Sequence, residues 1–291
     1  MDLLRLRVEV SGEPDGVVEP SKMPSHRSLD PLTSKLQLLP DSSARVYGRK
    51  RELSQLKERY ETILHNSERE PELILISGSS GMGKTTLARC LIDTEHAEEA
   101  TFIQGKFELR QKDPYAPFAS AVSMYIENWQ SMSADQQLAV DAVRRRAQDA
   151  VGDEHSLLSA NIPTLALFLE NCDRPSIPRD MSLTGPEALQ RFRNLFCKLI
   201  ASICSLQEPM CFFLDDLQWA KQEPLALLGA LLTDPSIQGL VIVGACRGDE
   251  VSVDDDLAVI LRDLEDNSGL KVTQVTLSGL AEEDITDVSC T

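Results

Sequence analysis

The chain has 291 residues, 42% hydrophobic and 26% charged, which is ordinary for one or two soluble domains with a sizeable core. Acidic residues outnumber basic ones by 46 to 29, and the formal net charge of −17 with no basic stripe argues against a nucleic-acid-binding surface. Met1–Val10 lacks the apolar stretch of a signal peptide, no segment reaches the roughly 18 apolar residues of a membrane span, and seven cysteines without CxxC spacing indicate a reducing compartment. A soluble intracellular protein is expected, cytoplasmic or nuclear.

Residues 11–45 are rich in Pro, Ser, Asp and Gly without apolar periodicity, so residues 1–43 read as a disordered leader. A domain is expected over residues 44–277. Its first helix starts near Arg49, with Leu53, Leu56, Tyr60, Ile63 and Leu64 on one face. After a turn over residues 66–71, Leu73–Ile76 form a short continuous apolar run, the pattern of a strand covered on both sides. A glycine-rich loop follows, then a helix over residues 84–93.

Further along, residues 101–105 read as a strand and 117–149 as helices broken near 131–133. Residues 152–186 show no decisive pattern. Beyond Pro186, Leu189, Phe192, Phe196, Leu199 and Ile203 mark an amphipathic helix leading into a strand at Cys211–Leu214, which ends in Asp215 and Asp216. A helix over 224–232, a strand over 240–246, a helix over 257–264 and a strand over 272–277 complete the series. Strands alternating with helices predict an α/β fold, a mostly parallel sheet with helices on both faces.

Between the first strand and its helix stands Gly78, Ser79, Ser80, Gly81, Met82, Gly83, Lys84, Thr85, the spacing GxxxxGK[ST], followed by Thr86. Glycines at these positions let consecutive backbone N–H groups turn inward around phosphates, at the positive end of the following helix. In this reading Lys84 reaches the β and γ phosphates of ATP, and Thr85 offers its hydroxyl to Mg²⁺. The strand–loop–helix context is the one this Walker A motif requires.

Phe212, Phe213, Leu214, Asp215 and Asp216 have the form of a Walker B strand. Asp215 is expected beside the phosphate loop, where its carboxylate holds the Mg²⁺ water shell. Asp216, one position on, is the candidate to orient or deprotonate the attacking water. His26, His65, His96 and His155 are scattered and match no metal spacing. Trp219 reads as packing under the loop.

With these residues in place, the chain resembles the AAA ATPase domain related to the origin-recognition proteins, within the broad class of signal-transduction ATPases with numerous domains (STAND). The resemblance covers residues 44–288 and rests on four segments. Val46, Tyr47, Gly48, Arg49, Lys50, Arg51, Glu52 and Leu53 resemble the family's adenine-side motif. Gly105, Lys106 and Phe107, followed by Pro114–Phe118, are similar to its second-strand segment. Leu214–Ala220 match its acidic strand and departure, differing from the usual pattern at Lys221, where an acidic residue is common. Val243–Arg247 resemble the sensor strand that ends near the γ-phosphate, which implies that Arg247 reports the nucleotide state. Residues 278–291 look like the start of the family's helical lid. Because the sequence ends at Thr291, a truncated product, a fragment of a larger gene and a protein with impaired closure all stay open.

The resulting expectation is an ATP- and Mg²⁺-dependent switch with slow hydrolysis to ADP, acting on a protein partner or fused signalling domain, with nucleotide-dependent self-association as an option. A nucleotide-gated interaction module with negligible turnover is the alternative. A DNA-associated ATPase, suggested only by the origin-recognition kinship, is opposed by the acidic balance.

Overall fold

The computed structural model describes residues 48–65, 72–91, 101–130, 137–169 and 185–279. The expected leader, Val46, Tyr47, the turn at 66–71 and most of the expected lid lie outside them. Nine α-helices and five strands form among the described residues. In chain order they are α1 (Lys50–His65), β1 (Glu72–Ser77), α2 (Lys84–Cys90), β2 (Thr101–Lys106), α3 (Ala116–Gln130), α4 (Gln137–Val151), α5 (His155–Asn161) and α6 (Pro163–Leu169). The series continues with α7 (Pro186–Ile203), β3 (Met210–Asp215), α8 (Gln222–Thr233), β4 (Leu240–Cys246), α9 (Asp256–Ser268) and β5 (Lys271–Thr276).

The strands form one sheet in the order β2-β3-β4-β1-β5, and every neighbouring pair is parallel. This is the expected α/β fold, a parallel sheet flanked by helices. Register places Ile74 beside Val243 and Lys106 beside Asp215. β1, which leads into the glycine loop, and β3, which ends in the aspartates, are not neighbours, because β4 lies between them.

Alternation along the strands divides the interior in two. Ile74, Ile76, Cys211, Phe213, Val243 and Ala245 point to one face, where Leu56 and Tyr60 of α1 and Leu87 and Leu91 from α2 and its end cover them. Leu73, Leu75, Ile103, Phe212, Leu214 and Ile242 point to the other, beneath α3 to α9. β1, β3 and β4 are buried almost throughout, which explains their unbroken apolar runs. β5 is an edge strand and keeps Lys271, Gln274 and Thr276 partly or wholly in solvent.

The stretch without a decisive pattern contains a 3₁₀ turn at Gly152–Glu154, α5 and α6. Both helices have only seven residues, too short for a helical period to accumulate. Packing fixes them instead, through Leu157, Leu158, Leu165 and Phe168, all buried in the larger core. α7 starts at Pro186, whose missing N–H costs nothing at a helix's first position. α9 ends at Gly269, with φ +65°, where the N–H of Leu270 donates to Leu264 O at 3.3 Å.

Candidate nucleotide site

The chain leaves β1 into the glycine loop at the C-terminal edge of the sheet. Gly78 has no room for a side chain, because an added Cβ would lie 2.8 Å from Leu277 O. The Leu277 N–H in turn donates to Ser77 O at 2.7 Å, fastening the last residue of β1, just before the loop, to the chain beyond β5. Gly81 and Gly83 adopt φ of +79° and +85°, with nothing within 4 Å of an added Cβ, so here backbone conformation demands glycine. Gly83 directly precedes α2, leaving that helix's first N–H groups facing the loop.

Lys84 is buried, and its Nζ donates to Gly78 O at 2.6 Å and Ser79 O at 2.9 Å. Its ammonium is thereby folded back under the loop. Ser79, Met82 and Thr85 are half-buried, whereas Ser80, Gly81, Gly83 and Thr86 face solvent. Thr85 Oγ1 donates to Asp215 Oδ2 at 2.9 Å, joining α2 to the end of β3 across the intervening strand.

Asp215 and Asp216 are both buried, yet the chain separates their roles. Asp215 completes the strand, and its Oδ1 accepts the Asp216 N–H at 3.0 Å. Asp216 has φ +56°, the sole positive φ at a non-glycine among the described residues, so its carboxylate leaves the strand direction. Three groups face that carboxylate. Gln218 Nε2 donates to Oδ1 at 3.1 Å, Lys106 Nζ lies 3.4 Å from Oδ2, and Arg247 Nε lies 3.6 Å from Oδ1.

Arg247 follows β4, the strand inserted between β1 and β3. Its guanidinium carbon sits 4.9 Å from the Trp219 ring centroid, and Nη1 donates to Glu250 Oε1 at 2.7 Å. The Glu250 hydrogen bond, followed by the charges of Glu250, Asp216 and Asp249, pushes the guanidinium pKa upward, so Arg247 is a fixed cation. Trp219 packs against the core beneath α3 to α9, and its ring carries Arg247.

Arg49 is buried against Glu52, 3.0 Å away, and also donates to the carbonyl of Ser278. Of the adenine-side motif the described part is Gly48–Leu53, and its Arg49 is tied to the residues just past β5. The Walker A segment, Asp215, Asp216 and Arg247 therefore converge at one edge of the sheet, with Arg49 at its β5 side. Lys106 and Gln218 lie in segments 105–118 and 214–220, but their shared partner Asp216 is a tertiary contact, and no spacing rule points to it.

The donor chemistry fits Mg²⁺. A hydroxyl and a carboxylate meet in the Thr85–Asp215 pair, hard oxygen ligands of the kind used when substrate phosphates and water complete the shell. No group of three or more His, Cys, Asp or Glu side chains is arranged for a metal among the described residues.

A parallel sheet in this order, a glycine loop leading into a helix, a lysine under the loop and an aspartate reaching the following threonine define a P-loop nucleotide-binding protein. Residues 45–243, more than half the chain, match the sequence profile of the AAA ATPase domain, and the chain belongs to that family. Among solved structures it is similar to Cdc6p from Pyrobaculum aerophilum, with 15% identity and a TM-score of 0.46 over 90% of this chain. The match spans 52% of that protein, so this chain covers about half its length. No curated protein sequence matches. Among the described residues, no helix is long and apolar enough to cross a membrane.

Proposed function

We propose that this domain binds ATP with Mg²⁺ and hydrolyses it slowly, using the two nucleotide states as a switch for a partner domain. The contact of Thr85 with Asp215 beside the buried Lys84 carries the reading, since it gathers the cation-holding oxygens and the phosphate-binding ammonium at one loop. Backbone N–H groups of residues 81–85 would cradle the phosphates. Lys84 Nζ would exchange the carbonyls of Gly78 and Ser79 for β and γ phosphate oxygens. Thr85 and Asp215 would hold Mg²⁺, which when bound neutralises charge developing across the β–γ bridge.

Asp216 would act on water. Its carboxylate would accept a hydrogen bond from the attacking molecule and then its proton, as the new O–P bond forms and the β–γ bridge breaks to release ADP and phosphate. Arg247 stands at the end of the strand between the two motifs and is the candidate reporter of the γ-phosphate. Arg49, joined to Ser278, would carry the state of the adenine side to the chain following β5. A STAND-type signalling role agrees with the resemblance of residues 214–220.

A second reading, a nucleotide-gated interaction module with negligible turnover, is favoured by the engagement of Asp216 with Lys106, Arg247 and Gln218. Single-turnover phosphate release at saturating ATP separates the two. The switch reading expects slow release by the native chain and, for Asp216→Asn, retained ATP binding with release at least tenfold slower. Equal release by both proteins would remove Asp216 as the base; no release by either would favour the module.

A further inference from the structure

Gln218 spans two elements of the site with its two amide atoms. Its Oε1 accepts the backbone N–H of Arg247 at 3.2 Å, and its Nε2 donates to Asp216 Oδ1 at 3.1 Å. The orientation of the amide is settled by its partners, because a backbone N–H can only donate and so must face the oxygen, leaving the NH₂ for the carboxylate. Gln218 lies in the 3₁₀ turn Leu217–Trp219 that leaves β3, and Arg247 is the first residue after β4. The bridge therefore ties the turn carrying the candidate base to the strand inserted between the two nucleotide motifs.

We infer that Gln218 is the positioning residue of Asp216, fixing the carboxylate's direction relative to the end of β4, so that movement of Arg247 is transmitted to the base through one side chain. This rests on the reading of Asp216 given above. Lys106 and Arg247 also face the carboxylate, but at 3.4 and 3.6 Å they act mainly through charge, which fixes direction weakly. A flexible lysine that is more than half exposed cannot set an angle. Gln218 offers directed hydrogen bonds at both ends. Asp216 needs such a constraint because its left-handed backbone conformation is sparsely populated by residues other than glycine. Glutamate has the right length but presents an oxygen to Asp216, whereas methionine keeps the bulk and supplies neither bond.

The test compares the full chain with Gln218→Met, Gln218→Glu, Asp216→Asn and Gln218→Met/Asp216→Asn, measuring steady-state and single-turnover ATP hydrolysis together with ATP affinity. Positioning predicts that Gln218→Met and Gln218→Glu each lower kcat about tenfold or more with KM within twofold, a split expected of a group acting on the base and not on the nucleotide. Adding Gln218→Met to Asp216→Asn should cost nothing further, because the residue acts through the carboxylate already removed. Native kcat in both single variants, or multiplicative losses in the double variant, would overturn the inference. If Asp216→Asn turns over normally, the base reading fails instead.

Amide NMR supplies a readout independent of turnover and of folding failure in any one variant. The side-chain NH₂ signal absent from Gln218→Met should shift in Asp216→Asn, and the Arg247 backbone N–H should shift in Gln218→Met. An unmoved Arg247 signal in a folded variant would show that the bridge is absent in solution.

Discussion

Replacing Gly105 with alanine probes the alignment of β2 against the site. An added Cβ would lie 2.8 Å from Pro117 C and 3.2 Å from Pro117 Cα, and closer still to the Pro117 oxygen. All three atoms are backbone at the start of α3, so relief requires the strand and helix to part by roughly 1 Å to reach ordinary contact. In a packed interior this should cost about 3 kcal/mol or more. Gly244→Ala is the control, because the added methyl would meet chiefly the Leu217 side chain, with Leu75 Cδ1 at 3.3 Å. Those side-chain ends can rotate away, which limits the loss to about 1–2 kcal/mol. Urea unfolding of both variants at pH 7 measures the difference. Lys106 follows Gly105 directly, so Gly105→Ala should also withdraw the ammonium from Asp216. A Gly105→Ala protein no less stable than Gly244→Ala would refute the argument from backbone approach.

Arg49→Ala should cost about 1.5–3 kcal/mol, since it removes charge-assisted hydrogen bonds to Glu52 and the Ser278 carbonyl. Hydrogen exchange should then quicken around Leu277, and unchanged exchange there would separate Arg49 from that segment. Burial pushes the Cys211 thiol up to about 12 and the Cys246 thiol up to about 11 from 9.0. The folded protein therefore holds these protons more tightly than the unfolded chain. Stability should be full below pH 9 and fall above it, by about 1.4 kcal/mol per pH unit for each thiol until its folded pKa is passed. The urea-midpoint gap between the native chain and Cys211→Ala should narrow from pH 8 to pH 10.5; a constant gap would contradict the assignment.

The sheet was legible in the sequence because its central strands are buried on both faces, so Leu73–Ile76 and Leu240–Cys246 are unbroken apolar runs. α7 was equally clear, with Phe192, Phe196 and Ile203 on one face. α5 and α6 were not, since each has two turns or fewer and depends on the core beneath α3 to α9. The phosphate loop could be read because backbone chemistry requires glycine at particular positions, and the positive φ of Gly81 and Gly83 is the physical form of that requirement. Strand order is not encoded locally. Neither the insertion of β4 between β1 and β3 nor the meeting of Lys106, Gln218 and Arg247 at Asp216 follows from spacing along the chain. Trp219 shows the same limit, because its contact with Arg247 joins the turn after β3 to the end of β4 and follows from no spacing.

The phosphate-binding assignment of Lys84 is tested most directly by thermal unfolding with and without Mg²⁺ and ATP, comparing the native chain with Lys84→Ala. At a ligand concentration 100 times the dissociation constant, binding to the folded state alone contributes about 2.7 kcal/mol. For a domain of this size that corresponds to a rise of about 5–10 °C in Tm. The native chain should show that rise and Lys84→Ala little or none. Equal ATP-dependent shifts in the two proteins would contradict the account.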